Sequence, residues 1–528
     1  MFRLLPALGL ACSLAGADYD LLIRNARVID GTGNPWFRAD AGIREGRIAA
    51  LGRLTGATAS RVVEAGDRVL APGFIDVHTH LEKSIPIPLN GAIEDRPGGD
   101  NYLMDGVTTV VTGNCGFSET NLAEFFSRLE TKRIGLNLAS LVGHNDLRSA
   151  VLGTANRQAT AEEIARMQAL VERAMQEGAV GLATGLIYVP GTYANTEEVL
   201  ALAKTAAKQG GIYASHIRDE GERALEAIEE AVRVGRQAGA RIQISHFKIS
   251  NKRLWGMSEK TVELVEQFRR EGVDVVVDQY PYDRSSTTIG YLAPSWALAD
   301  GKAKIRERLN DPATRARIAR EMRQRNKQLG FADYSFAVVA FCPFDRSLEG
   351  RSISEINRLK KRSAGIEEEI QTILDLLAQG DVSMVYQVMS EVDIERILRY
   401  PNTAIASDGW MPEFGAGVPH PRCYGTNARV LAEFVRRRRV ITLEDAVRRM
   451  TSLPARTFSF RDRGLVREGY AADLVLFDPA RVEDKATFSA PHQFSEGFDL
   501  VLVNGTPVVD DGRLTGARPG RILRHRPQ

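Results

Sequence analysis

The feature that most restricts how this chain can fold is a strand-then-helix alternation repeated eight times. Candidate strands begin near Phe74, Thr108, Leu136, Ala179, Ile212, Arg241, Val273 and Thr403. Helical patterns, such as residues 161–176 and 222–238, lie between most of them. Strands separated by helices pair in parallel, and eight such units predict an α/β fold, a closed (β/α)8 TIM-type barrel. The long interval before the eighth strand holds charged helical stretches, 301–328 and 352–377. It reads as a helical insertion, about residues 285–385, near the barrel mouth.

Both ends of the chain are β-rich. Residues 20–31 read as a strand and turn, 41–51 as a hairpin turning at Glu45-Gly46, and 469–477 and 501–505 again as strands. They predict a small β-sandwich built from 18–70 and 465–528, bracketing a barrel over 71–464. Residues 1–17 stand apart. Arg3 supplies a charge, Leu4 to Leu14 is a short apolar stretch, and Ala15-Gly-Ala17 is a small-residue cleavage pattern. That is the pattern of a secretory signal peptide, too short to span a bilayer, and it implies a periplasmic or secreted protein. Cys12 would leave with it, and the alternative of an imperfect lipoprotein site at Cys12 is the weaker reading. No other run is long and apolar enough to span a bilayer. A formal net charge of +2 gives no electrostatic case for nucleic acid or an acidic membrane. The run Arg436–Arg439 reads as the solvated end of a helix. Cysteines at 12, 115, 342 and 423 form no disulfide framework, and nothing sets the oligomeric state.

A TIM-type barrel places its chemistry at the C-terminal ends of its strands. The polar residues of this chain collect there. His78 and His80, two residues apart, close the first strand on one face. Cys115 closes the second and His144 the third. Tyr188 follows the fourth, His216 and His246 close the fifth and sixth, and Asp408 closes the eighth. Five of the 8 histidines therefore fall on one predicted rim: His78, His80, His144, His216 and His246. A His-x-His pair alone is a weak signal. Joined on one rim by further imidazoles, a thiol and a carboxylate, it becomes a metal site. These are the usual donors to zinc, and a catalytic zinc keeps a position open for water. His144 fits either direct binding or support behind the ligands or substrate. Asp408 is placed to handle protons. It can take one from water whose pKa the metal lowers toward about 7, and donate it to a leaving amine.

These segments resemble the amidohydrolase superfamily and, within it, the N-acyl-D-amino-acid deacylases (D-aminoacylases), over about residues 20–524. Ala71-Pro-Gly-Phe-Ile-Asp-Val-His-Thr-His80 resembles the first-strand signature, and Gly113-Asn-Cys-Gly-Phe-Ser118 the cysteine motif of this branch. Ser215-His-Ile-Arg-Asp-Glu220, Ile244-Ser-His-Phe-Lys248, Tyr280-Pro-Tyr282, Ser407-Asp-Gly409 and His420-Pro-Arg-Cys-Tyr-Gly425 are further matches. Related branches bridge two metals with a carboxylated lysine. The fourth strand here, Val180-Gly-Leu-Ala-Thr-Gly185, has no lysine, so Cys115 is the better candidate.

The resemblance implies zinc held tightly by Cys115, His216 and His246, and a second, weaker metal position at His78, His80 and Asp408. It implies Asp408 as catalytic acid and base. Lys248 and Tyr282 would hold the substrate carboxylate, Tyr188 would polarise the scissile carbonyl, and Arg422 would reach the substrate. The implied substrate is a small N-acyl-D-amino acid, with a dipeptide ending in a D-residue or a cyclic amide as alternatives. A non-catalytic binding protein on the same barrel is the competing class, and the complete donor set argues against it. One departure stands out. Many relatives carry an acidic pair after the first-strand histidines, where this chain has Leu81-Glu82-Lys83. The stretch 289–296 is apolar, and Arg284 is the only cation near it, which favours neutral or apolar D-amino acids.

Overall fold

A computed structural model of the chain describes residues 17–83 and 91–525. The expected leader, Ala17 apart, and Cys12 lie outside the described residues. Eight strands form the barrel: Phe74–Asp76, Val107–Thr112, Asn137–Ser140, Gly181–Gly185, Ile212–His216, Ile242–Ile244, Val275–Gln279 and Thr403–Ile405. The third resumes at Val142–Gly143 to pair with the fourth. Neighbours pair in parallel around the ring. A parallel bridge between Thr79 and Gly409 joins the first strand to the eighth.

The helices between strands follow from local chemistry. In Ala161–Glu177, Thr160 accepts from the Glu163 N–H while the Glu163 carboxylate accepts from the Thr160 N–H. Such a capping box stabilises a helix by about 1 kcal/mol. Met167, Val171, Ala174 and Met175 form its buried stripe, and Gly178 ends it at φ 112°. The strands are buried on both faces, as parallel barrel strands must be. Val275 and Val277 join the core that packs under the helices. Val276 joins Ile75, Val111, Ala183, Ala214 and Ala404 in a separate cluster filling the barrel. The same alternation turns Asp278 inward.

The two ends of the chain build one nine-stranded sheet, in which Val69–Pro72 pairs antiparallel with Leu474–Phe477. The segment before the eighth strand carries the expected helices, including Pro312–Leu329 and Ile366–Gln379. It also carries a three-stranded antiparallel sheet of Arg284–Thr288, Ser383–Gln387 and Ala337–Phe341. The Ser- and Thr-rich first of these strands has no apolar alternation to announce it. Its own core includes Ile318, Met322, Tyr334, Ile373 and Tyr386. Among the described residues, no helix is long and apolar enough to cross a membrane.

Candidate metal centre

Three residues at barrel-strand ends have left-handed backbones: Cys115 at φ 53°, His246 at φ 34° and Asp408 at φ 52°. Each costs about 1–3 kcal/mol in a side-chain-bearing residue, so the surrounding structure must impose it. Around Cys115 the motif Gly-Asn-Cys-Gly does so. Gly116 has φ 82°, and a Cβ there would meet Asn145 Oδ1 at 2.3 Å. Asn114 Nδ2 donates to the carbonyls of Val77 and Val111, tying the cysteine loop to the first and second strands. At the eighth strand, Asp408 N–H donates to the His78 carbonyl and His80 N–H to that of Gly409.

These constraints bring the donors together. His78 Nε2, His246 Nε2 and His216 Nδ1 lie 3.3, 3.4 and 3.5 Å from Cys115 Sγ. A tetrahedral zinc, with bonds of about 2.3 Å to sulfur and about 2.0 Å to nitrogen, separates its donors by roughly 3.5 Å. The donor types and the three sulfur–nitrogen spacings fit that ion; His78, Cys115 and His246 form one mutually close donor group, while His216 groups with Glu220 and His246 instead. His80 Nε2 lies 3.0 Å from Asp408 Oδ1 and His78 Nε2 lies 3.5 Å from the same oxygen. His78 therefore belongs to two clusters, one with Cys115 and His246 and one with His80 and Asp408. Against burial, the charges of His78 and His246 hold the Cys115 thiol well below its ordinary pKa, which favours the thiolate.

Carboxylates face the outer edges of these rings. His78 Nδ1 lies 3.2 Å from Asp278 Oδ1, which also accepts from the His246 N–H at 2.8 Å. Gln243 Nε2 donates to Asp278 Oδ2. A third group of possible donors is His216, Glu220 and His246. An ammonium already binds two of its members: Lys248 Nζ lies 2.6 Å from Glu220 Oε1 and 2.9 Å from His246 Nδ1. Burial opposes both charges, but Lys248 and His216 hold the Glu220 carboxyl at about 2.

The remaining expected residues divide. Arg422 Nη1 lies 2.9 Å from Asp408 Oδ2. Against burial, Arg422 and His78 hold the Asp408 carboxyl well below the ordinary range. The Tyr188 ring packs on His216 at 4.9 Å. Tyr188, Arg422, His80, Cys115 and Asp408 line one small cavity of about 20 Å³, together with Phe117, Ser286 and Trp410. Tyr188 and Phe117 also line a larger cavity of about 650 Å³ under the insertion.

Tyr282 does not join them. It packs against His420, Phe488 and the Arg429 guanidinium. The seventh strand ends at Gln279, and Tyr282 N–H donates to the Tyr280 carbonyl across Pro281. This tight turn breaks the strand alternation that would have placed both tyrosines alike. Tyr280 takes the position beside the site, with Arg422 stacked 4.6 Å and Lys248 Nζ 5.9 Å from its ring centre and its hydroxyl unpartnered.

His144 binds Glu198 at 2.9 Å, and Arg148 binds the same oxygen at 3.0 Å while donating to the Pro190 carbonyl. It belongs to a buried network under the Tyr188 loop, outside the candidate metal clusters among the described residues. After the first-strand pair, Leu81 is core, Lys83 pairs with Asp95, and Glu82 is buried with its carboxyl pushed up to about 7 by that burial. Asp278, Glu220 and Tyr280 lie against His78, Lys248 and Arg422, and none of the three is among the candidates read from the sequence. Asp278 closes an apolar run in the same way as His216 and His246, so the signal that found those histidines was present there too.

The amidohydrolase family model matches residues 61–509. The chain is 35% identical to the D-aminoacylase of Alcaligenes xylosoxydans xylosoxydans, over 96% of this chain and 97% of that protein. It is 36% identical to the N-acyl-D-glutamate deacylase of the same organism, over 96% of each. The crystal structure of the N-acyl-D-glutamate deacylase of Bordetella bronchiseptica contains zinc and a phosphonate inhibitor that mimics the tetrahedral intermediate. It matches this chain with a TM-score of 0.80 at 33% identity, covering 96% of this chain and 100% of that one.

Proposed function

The chain belongs to the amidohydrolase family, and from that premise we propose that it is a zinc-dependent hydrolase of N-acyl-D-amino acids, releasing a carboxylate and a free D-amino acid. The observation that carries this reading is the trio of imidazole nitrogens 3.3–3.5 Å from Cys115 Sγ, with the Asp408 carboxylate 3.5 Å from one of them, His78 Nε2.

Cys115, His216 and His246 are the proposed tight ligands. His78, His80 and Asp408 form the weaker position, with His78 within reach of either. Zinc bound there acidifies water and polarises a carbonyl. Asp408 takes the proton of the attacking water as the new C–O bond forms, and returns it to the nitrogen as the C–N bond breaks. Tyr188 offers its phenol to the scissile carbonyl. Arg422, Tyr280 and Lys248 present donors to the substrate carboxylate, where charge-assisted bonds are strongest.

The larger cavity supports neutral or apolar side chains. Leu292, Ala293 and Leu298 line it, and Arg284 is stacked on Phe488 instead. Its three cations are already engaged: Arg218 with Glu230, Lys302 with Asp381, and Arg325 with the Tyr291 carbonyl. Asp219 and Glu222 add negative charge, which disfavours an anionic side chain. The test is turnover of N-acetyl-D-leucine and N-acetyl-D-methionine against their L-forms, N-acetyl-D-glutamate, dipeptides ending in a D-residue, and hydantoins. The D-forms with neutral side chains are expected to lead. Turnover of hydantoins alone would sink the deacylase reading, and preference for N-acetyl-D-glutamate would sink the side-chain assignment. The N-terminal segment supports export, to be checked by sequencing the mature N-terminus after expression.

A further inference from the structure

We propose that Glu220 is a positioning residue for the metal: its Oε1 locks His216 and His246 in the tautomers that turn a lone pair toward Cys115. The proposal rests on the zinc reading above. Glu220 Oε1 lies 3.2 Å from His246 Nδ1 and 3.5 Å from His216 Nε2. The opposite nitrogens, His246 Nε2 and His216 Nδ1, are the ones 3.4 and 3.5 Å from Cys115 Sγ. The two rings thus point different edges at the sulfur and turn their remaining edges to one carboxylate oxygen: His246 Nδ1 lies within hydrogen-bond distance of it, and His216 Nε2, buried with no hydrogen-bond partner of its own, faces it across 3.5 Å. A neutral imidazole has one N–H and one lone pair. A carboxylate only accepts, so a ring nitrogen facing it carries the proton and the other nitrogen is freed for a metal.

Lys248 adds to this role without creating it. Its ammonium lies 2.9 Å from the same His246 Nδ1, and an ammonium only donates. Left to itself, it would draw the lone pair to Nδ1 and put the proton on Nε2, facing Cys115. Glu220 counters this by binding the ammonium itself at 2.6 Å. The fold holds Glu220 in place, because the N–H of Ser250 donates to its carbonyl. Glu220 is 8% exposed, so water does not substitute for it freely.

The experiment compares the zinc affinity of Lys248→Met with that of the double variant Glu220→Leu/Lys248→Met, by competition with a chelator. Both lack the ammonium and differ only in Glu220. Lys248→Met is expected to bind zinc within a few-fold of the unaltered protein. The double variant is expected to bind roughly 10–100-fold more weakly, the usual cost of losing a carboxylate behind a metal-bound histidine. Equal affinities in the two variants would overturn the proposal. If Lys248→Met does not fold, the double variant, which leaves no unpaired charge, is compared with the unaltered protein and decides in the same sense. Active but zinc-free unaltered protein would instead end the zinc reading, a result separable from either outcome.

Discussion

The Arg422 guanidinium lies 2.9 Å from Asp408 Oδ2, with the side chains only 2% and 9% exposed. The opposite carboxylate oxygen, Oδ1, lies 3.0 Å from His80 Nε2. The pair favours the ionised form of Asp408, the form that a general base needs before it takes a proton. Asp408→Asn keeps the shape and removes the base. We expect kcat to fall by roughly 10²-fold or more, with the fold retained and zinc still present by elemental analysis. A near-normal kcat would remove Asp408 from the proton transfer.

Cys115 is the hub of the donor set, because three imidazole nitrogens are within 3.5 Å of its sulfur. Purified protein should carry zinc, and Cys115→Ala should lose it on dialysis. The loss should exceed the roughly 10–100-fold that follows from changes behind a ligand. Zinc content and circular dichroism measured together separate loss of metal from loss of fold. Full zinc occupancy in the variant would shift the site to the histidines alone.

The turn at Pro281 separates two tyrosines that look equivalent in the sequence. Tyr280 lies against Arg422 and Lys248, while Tyr282 lies against Arg429 and Phe488. Tyr280→Phe is expected to raise KM for an N-acyl-D-amino acid by roughly tenfold or more, the scale of a hydrogen bond to a charged group. Tyr282→Phe should leave KM unchanged. The reverse pattern would restore the carboxylate-holding role to Tyr282.

That contrast shows where the sequence is legible. The barrel could be read because buried parallel strands are apolar runs set off by amphipathic helices, and the barrel geometry then assigns their ends to one rim. His216 and His246 were visible because each breaks an apolar run at that rim. Asp278 breaks one in the same manner, but a carboxylate is common enough at strand ends to pass unremarked. Tyr280 was hidden for a different reason: alternation holds only while the strand lasts, and Pro281 marks a break without telling which of its two flanking tyrosines turns to the site. The strand Arg284–Thr288 was hidden because its Ser and Thr side chains, half-buried rather than alternating, carry no period. Glu220 lay within a recognised motif, but its role appears only once the fifth and sixth strands bring two imidazoles and an ammonium to one oxygen.

His420 gives the molecule a pH dependence of its own. Its Nδ1 accepts from the Arg422 N–H at 3.0 Å, and its Nε2–H donates to the Arg284 carbonyl at 3.0 Å. Both ring nitrogens are therefore used in the neutral form, and a proton on Nδ1 would face another N–H. Burial, followed by the Arg422 charge, pushes the imidazole well below its ordinary pKa of 6.5. The unfolded chain then takes up the proton first as pH falls. The stability contributed is complete above the ordinary histidine value and drains as pH drops through it, by at most about 1.4 kcal/mol per pH unit. His420→Gln can keep both hydrogen bonds, because an amide accepts and donates, but it cannot titrate. We expect the variant to be less stable than the unaltered protein at pH 7.5, with the gap narrowing at pH 5.5 in denaturant melts at equal zinc. The metal-binding histidines titrate in both proteins and cancel in the difference. An unchanged gap would show that His420 does not take up its proton on unfolding.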